Sequence, residues 1–172
     1  GTKGVNIDGK DLTLDLNGMT VTYSEKGGGD TAAIRLINNA SLTVTDTSTA
    51  ASGKLESTSS GMAIRNMSTG TVTVSSGTVL ATGQFGQAIY NSTGTVTVSS
   101  GTVLATGDYT TAINNYSTGT VTVSGGEVSA TTGNAIYNSD IGKITVSGGA
   151  EVTSANSSSA SGTIYLARVP SS

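Results

Sequence analysis

The chain has 172 residues, a formal net charge of −3, 11% charged side chains and 4% aromatic side chains. It contains no cysteine and no histidine, which excludes disulfides, thiolate metal ligands and the most common general base. The acidic balance predicts no nucleic-acid partner, and no apolar run is long enough to predict membrane insertion by this segment. We expect no metal and no cofactor.

The sequence repeats itself with a period near 24 residues. Residues 68–83 and 92–107 are identical, and a weaker third copy begins at Ser117. Self-similarity at a period of about 20–50 residues is typical of solenoids and other repeat architectures. A repeat places the same side chains at many positions, whereas a catalytic site needs different side chains at one position.

The most regular element of each repeat is a short alternating segment, which we call strand A. It begins at Asp11, Ser41, Thr71, Thr95, Thr120 and Lys143, at spacings of 30, 30, 24, 25 and 23 residues. Strict alternation of apolar residues with Thr or Ser is the period of a β-strand. Strand A is therefore expected to point two columns of side chains inward, namely Leu12, Leu42, Val72, Val96, Val121 and Ile144, and then Leu14, Val44, Val74, Val98, Val123 and Val146.

Each repeat contains two further strands. Strand B follows a turn at Gly18, Gly53, Gly77, Gly101, Gly125–Gly126 and Ala150, and strand C has an apolar core that starts at Ala33, Ala63, Ala88, Ala112, Ala135 and Thr163. Three such strands and three turns fill one coil of a parallel β-helix. The sequence predicts an all-β, single-stranded parallel solenoid of about six coils over residues 1–172, with residues 1–10 adding one strand beneath coil 1.

One corner of the coil carries asparagine in four successive repeats: Asn66, Asn91, Asn115 and Asn138. Stacked amides can hydrogen-bond along a coil stack and satisfy backbone groups at the corner. We interpret these residues as a structural ladder.

Several segments resemble a known class of proteins. DLTLDLNGMTVTYS at 11–24, SLTVTDTSTAASGKLES at 41–57 and the copies of AIYNSTGTVTVSSG resemble bacterial surface proteins of gut Gram-positive type with a right-handed, pectin-lyase-like β-helix. The resemblance covers nearly the whole chain. It implies a secreted or cell-surface location and an adhesin-like role. Because the sequence begins at Gly1 rather than Met and neither end of the predicted β-helix has a capping helix, we expect an excised segment flanked by other domains of the same polypeptide. The right hand is also the general hand of parallel crossovers.

One alternative function is that of a polysaccharide-active enzyme or its relic. Among the acidic residues, only Asp15 and Asp46 are expected to approach each other across one coil step, and both lie beside a turn. Asp11 and Asp15 share a strand face but are ~13 Å apart, too far for a glycosidase pair. We interpret Asp15 and Asp46 as solvated turn acids and predict no enzymatic activity.

A second alternative is ice binding by the outward face of strand A. Thr13, Thr43, Thr73, Thr97, Thr122 and Thr145 form an unbroken column in the predicted register. Such arrays resemble the ice-binding faces of some antifreeze proteins. Threonine is also favoured on any exposed strand, and the unequal coil lengths disfavour a flat lattice-matched face.

The outward face of strand C is the predicted binding face. It carries Arg35, Arg65, Tyr90, Asn114, Tyr137 and Tyr165 from coil 1 to coil 6, and the preceding turns add Phe85 and Tyr109. Aromatic faces with nearby amides suit sugar rings, and arginine suits carboxylated sugars. The sequence thus predicts an adhesive or spacer segment with weak glycan binding, whose partners are host or dietary glycans or a surface protein.

Overall fold

The computed structural model describes residues 4–25, 31–156 and 162–167. In these ranges the chain forms 19 strands and no helix. The strands are β1 Val5–Asp8, β2 Asp11–Asp15, β3 Thr20–Tyr23, β4 Ala32–Ile37, β5 Ser41–Thr45, β6 Lys54–Ser57, β7 Met62–Asn66, β8 Thr71–Val74, β9 Thr78–Ala81, β10 Gln87–Asn91, β11 Thr95–Val98, β12 Thr102–Ala105, β13 Thr111–Asn115, β14 Thr120–Val123, β15 Glu127–Ala130, β16 Asn134–Asn138, β17 Lys143–Val146, β18 Glu151–Ser154 and β19 Ile164–Leu166.

These strands form three parallel sheets, one for each strand type. The strand A sheet contains β2, β5, β8, β11, β14 and β17; the strand B sheet contains β3, β6, β9, β12, β15 and β18; the strand C sheet contains β1, β4, β7, β10, β13, β16 and β19. Each coil therefore consists of strands A, B and C in that order, and β1 lies beneath coil 1. The predicted all-β parallel solenoid of about six coils and its extra N-terminal strand are confirmed.

Equivalent residues of successive repeats lie directly above one another. Val72, Val96 and Val121 pair in register across β8, β11 and β14, and all three are fully buried, as predicted. Burying one such side chain contributes about 1.5–3 kcal/mol relative to leaving it exposed. Because each repeat presents the same apolar residues at the same positions, the coils share one continuous core.

The inward columns lose their burial at the two ends of the solenoid. Leu12 pairs with Leu42 and Val146 pairs with Val123, yet Leu12 and Val146 are each 44% exposed. Their strands, β2 and β17, are the outermost strands of the strand A sheet. A side chain in an outermost coil is covered from one side only, so the prediction that these two residues are inside was wrong.

Strand C departs from strict alternation. Ala88 and Ile89 are consecutive and both fully buried, and the register pairs Gln87 with Thr111 and Ile89 with Ile113. Alternation resumes after the isoleucine, so that Tyr90 lies on the outer side of the strand and the next residue is buried again. This pattern positions the outward column of strand C described below.

The four corner asparagines form a continuous buried hydrogen-bond chain. Asn66 Nδ2 donates to Asn91 Oδ1 at 3.0 Å, Asn91 Nδ2 to Asn115 Oδ1 at 2.8 Å, and Asn115 Nδ2 to Asn138 Oδ1 at 2.7 Å. Each Nδ2 also donates to the carbonyl of a corner glycine, the acceptors being Gly70, Gly94, Gly119 and Gly142. The chain of amides thus ties coils 2 to 5 together and satisfies their corner carbonyl groups.

Glycine at this corner is required by close approach of the amide ladder. A Cβ at Gly119 would lie 2.2 Å from Asn91 Nδ2 and 2.6 Å from Asn115 Oδ1. Real Cβ atoms do not approach polar atoms so closely, so any side chain there would displace the ladder.

Candidate functional site

The predicted binding residues of strand C form one column on the outside of the solenoid. Parallel pairing places them in direct register from coil 1 to coil 6: Arg35, Arg65, Tyr90, Asn114, Tyr137 and Tyr165. Neighbouring residues of the column are therefore one strand spacing, about 4.8 Å, apart along the backbone.

The N-terminal part of this column is basic. Arg35 is exposed and pairs in register with Arg65 on the next coil. The guanidinium carbon of Arg65 lies 5.7 Å from the centroid of the Tyr90 ring, a cation–π contact. Two like charges on residues in register on adjacent strands are unfavourable, and an anionic group bound beside them would relieve that repulsion.

The rings on the strand C side are stacked in pairs. Tyr90 stacks on Tyr116 with a centroid distance of 5.7 Å, and Tyr137 stacks on Tyr165 at 5.3 Å with an interplanar angle of 8°. Tyr90 thus contacts Arg65 from the preceding coil and Tyr116 from the following corner. Tyr116 was not among the predicted site residues, because in the sequence it lies beyond the asparagine corner rather than on the strand.

Asn114 lies between these two aromatic groups, in register with Tyr90 and Tyr137. Its Oδ1 atom is buried and has no hydrogen-bond partner. An unpartnered buried acceptor costs about 1–3 kcal/mol, so the Oδ1 atom of Asn114 does not stabilise the column.

Phe85 and Tyr109 form a third stacked pair in the turns before strand C. Their ring centroids are 5.4 Å apart with an interplanar angle of 15°, and the side chains are 58% and 71% exposed. The Phe85 N–H donates to the Asp108 carbonyl at 2.9 Å, which joins the two turns. The pair is the most exposed aromatic surface on this side of the solenoid.

Both residues have a left-handed backbone, with φ of 59° for Phe85 and 56° for Tyr109. In the first turn, the Gly86 N–H donates to the Gly83 carbonyl, so that Phe85 occupies the third position of a four-residue turn. Glycine is favoured at such a position, and a bulky residue costs on the order of 1–2 kcal/mol there. Backbone strain of this kind, held in place by the surrounding fold, is characteristic of functional positions.

The turn in the next coil is shorter, and Tyr109 beside it is 71% exposed. The turns at 82–86 and 106–110 have five residues, whereas the turn at 131–133 has three and no aromatic residue. Two adjoining clefts of about 380 and 260 Å³ lie beside this short turn. Tyr109, Thr132 and Asn156 line both clefts, and Phe85 lines neither. Comparing turn lengths between repeats would have identified this opening from the sequence.

Asp15 and Asp46, the acidic pair considered for catalysis, accept hydrogen bonds from backbone and side-chain groups of the neighbouring turns. Asp15 accepts hydrogen bonds from the Thr47 hydroxyl at 2.6 Å and from the Thr47 N–H at 3.0 Å, and these bonds lower the pKa of the Asp15 carboxyl. Asp46 is only 6% exposed, so the prediction of a solvated acid was wrong for this residue.

The Asp46 carboxylate connects backbone segments of different coils. Burial by itself raises the pKa of Asp46, but hydrogen bonds from Ser48, Gly53 and Gly18 outweigh that effect and lower the pKa to about 2. Oδ1 accepts from the N–H groups of Gly18 at 2.8 Å and Ser48 at 3.0 Å, while Oδ2 accepts from the Gly53 N–H. A carboxylate held by several backbone N–H groups is a strong structural acceptor.

The threonine column of strand A is continuous in register. Thr13, Thr43, Thr73, Thr97, Thr122 and Thr145 pair successively from coil 1 to coil 6. The flanking outward column is less uniform, since Asp11 and Ser41 occupy it in coils 1 and 2 and Lys143 in coil 6. Threonine neighbours of this type also stabilise a β-ladder without any ligand.

Among the residues that the structure describes, no group of three or more potential metal ligands comes together. In the same ranges no helix is long and apolar enough to cross a membrane. Comparison of the chain with protein-family models, with curated proteins and with solved structures gives no significant match.

Proposed function

We propose that this chain is an adhesin-like surface segment, a rigid rod that presents a glycan-binding side and has no enzymatic activity. The observation that carries the proposal is the distribution of aromatic residues. Of the seven aromatic residues in the sequence, Tyr23 is buried in the core, and the other six lie on strand C or in the turns next to it. Outside the core, no aromatic residue of the described chain lies on strand A or strand B, although tyrosine is favoured on any exposed strand.

The chemistry of this side suits carbohydrate. Aromatic rings pack against the apolar faces of sugar rings, and their edges and hydroxyl groups border the polar ring substituents. Arg35 and Arg65 add a basic end that suits carboxylated or sulfated sugars. The site is a long surface rather than a deep pocket, which matches a polymer better than a small metabolite.

The biological setting is proposed from the resemblance of the segments at 11–24 and 41–57 to bacterial surface proteins. On that basis the protein is secreted or cell-surface, its solenoid is right-handed and of the pectin-lyase-like type, and its partners are host or dietary glycans or a surface protein. The proposal includes no nucleic acid, no cofactor and no membrane insertion by this segment.

The experiment is retention of the domain on an array of immobilised neutral and acidic polysaccharides. We expect retention by the wild-type chain and its loss in the Tyr90→Ala/Tyr137→Ala double variant, because neither ring belongs to the core cluster. Thr97→Ala, on the outward face of strand A, is the matched control and should bind normally. Retention that survives the double substitution, or that is lost with Thr97→Ala, would place the site elsewhere, and no retention of any glycan by the wild type would remove the binding function.

A further inference from the structure

We propose that the exposed ring of Tyr109 and the cleft beside it bind one neutral hexopyranose unit of the glycan. This inference rests on the proposed function and assigns the sugar class at one point of it. Tyr109 is the most exposed aromatic residue of the described chain, and the coil above it contributes no ring. Tyr109 lines both clefts beside the short turn.

The opening results from the unequal lengths of the turns in successive repeats. Phe85 covers the Tyr109 ring from the preceding coil at 5.4 Å, and this stacking fixes the orientation of the tyrosine. The following turn is two residues shorter, so the next member of the stack is missing and a space of about 380 Å³ takes its place. That volume lies at the small end of the range of about 300–1,000 Å³ for small-molecule pockets.

Among the described residues, the polar lining of the cleft includes two threonine hydroxyl groups, one carboxylate and the amide of Asn156, which can both donate and accept. Thr131 Oγ1 donates its hydrogen to the Thr106 carbonyl at 3.0 Å, and Thr132 Oγ1 donates to the Gly107 carbonyl at 2.7 Å. The hydrogen of each hydroxyl group is therefore engaged, and the oxygen lone pairs remain able to accept a hydrogen bond from a ligand. The third acceptor is the exposed carboxylate of Asp108.

Threonine acceptors, an amide and the carboxylate of Asp108 beside an aromatic ring suit a ligand with many hydrogen-bond donors and no negative charge. The hydroxyl groups of a neutral sugar donate to such acceptors while its C–H face packs on the ring. A uronic acid would bring its carboxylate close to Asp108 and be repelled. The acidic sugars that suit the arginine end of strand C are therefore excluded from this cleft.

The second cleft leads from the first toward strand C. Its volume is about 260 Å³, and its lining includes Thr111 and Asn134, which pair in register on β13 and β16. A glycan with one ring on Tyr109 can therefore continue over these residues to the Tyr137 side of the column.

The primary test uses Tyr109→Gly, because glycine readily adopts a φ of 56° and the substitution therefore removes the ring without adding backbone strain. Binding is measured by isothermal titration calorimetry with cellotetraose, β-1,4-galactotetraose and β-1,4-mannotetraose as neutral probes and tetragalacturonate as the acidic probe. We expect the wild type to bind at least one neutral probe and Tyr109→Gly to bind it at least tenfold more weakly. Ala51→Gly is the matched control, since it also places glycine at an exposed left-handed position (φ of 45°) but in a turn between strands A and B, and it should change the affinity less than threefold.

A second variant fills the cleft. Replacing residues 131–133 with the five-residue sequence of 106–110 adds the missing tyrosine above Tyr109 and should abolish binding while the circular dichroism spectrum stays that of a folded β-protein. Asp108→Asn should raise the affinity for tetragalacturonate relative to the neutral probes at least fivefold.

The outcomes separate the two proposals. If the glycan array retains the wild type but no neutral tetrasaccharide binds, or if Tyr109→Gly and the filled variant bind as the wild type does, the neutral subsite is wrong while the glycan-binding side stands. If the array retains nothing, both proposals fail.

Discussion

The asparagine ladder can be tested with two adjacent asparagines whose replacement by alanine should change the free energy of unfolding by very different amounts. Asn115 is fully buried and makes three side-chain hydrogen bonds, to Asn91, Asn138 and Gly119. Replacing it with alanine removes all three, and Asn138 Oδ1 loses its donor from the ladder. At about 1 kcal/mol of net stability per hydrogen bond, Asn115→Ala should lower the free energy of unfolding by about 3 kcal/mol. A domain has only about 5–15 kcal/mol in total, so the effect is large.

The control is Asn114→Ala, one residue earlier on β13. Its Oδ1 is buried without a hydrogen-bond partner, and removing an unsatisfied polar group is neutral or stabilising. Urea unfolding followed by far-ultraviolet circular dichroism measures both free energies, and an unchanged m-value shows that the same surface unfolds in each variant. A difference of less than about 0.5 kcal/mol between the free energies of unfolding of the two variants is no larger than that of an ordinary surface substitution. That result would show that the ladder does not stabilise the fold.

Two further predictions concern the corners of the coil. Gly119→Ala should destabilise the fold by more than about 2 kcal/mol, because the new Cβ would lie 2.2 Å from Asn91 Nδ2. The control is Gly149→Ala, whose Cβ would have no atom within 4 Å and whose free energy of unfolding should match that of the wild type in the same urea assay. Asp46, with a folded pKa of about 2, contributes stability that is fully present above the unfolded pKa near 4 and is lost as the pH falls toward 2. The urea midpoint should therefore fall between pH 4 and pH 2 in the wild type and fall less in Asp46→Asn; equal slopes in the two proteins would show that other groups cause the acid sensitivity.

Much of the architecture could be predicted from the sequence because it depends on local repetition. The spacing of strand A, the alternation of Val72 and its equivalents, and the shared position of the corner asparagines all follow from counting residues, and the parallel register reproduces each of them. In a solenoid each coil contacts mainly its neighbours, so equivalent positions in sequence become adjacent positions in space.

The contacts that decide accessibility could not be predicted in the same way. Leu12 belongs to the core column by pattern and is exposed because no strand of the strand A sheet lies beneath it, while Asp46 has a surface-type side chain and is buried by backbone from two coils. Tyr116 stacks on Tyr90 across a corner, and Tyr109 lines a cleft together with residues of the short turn of a different coil. The sequence by itself determined which residues share a column, since register depends on the repeat; only the tertiary structure decided which of them are covered, since burial depends on what the adjacent coils and turns place against them.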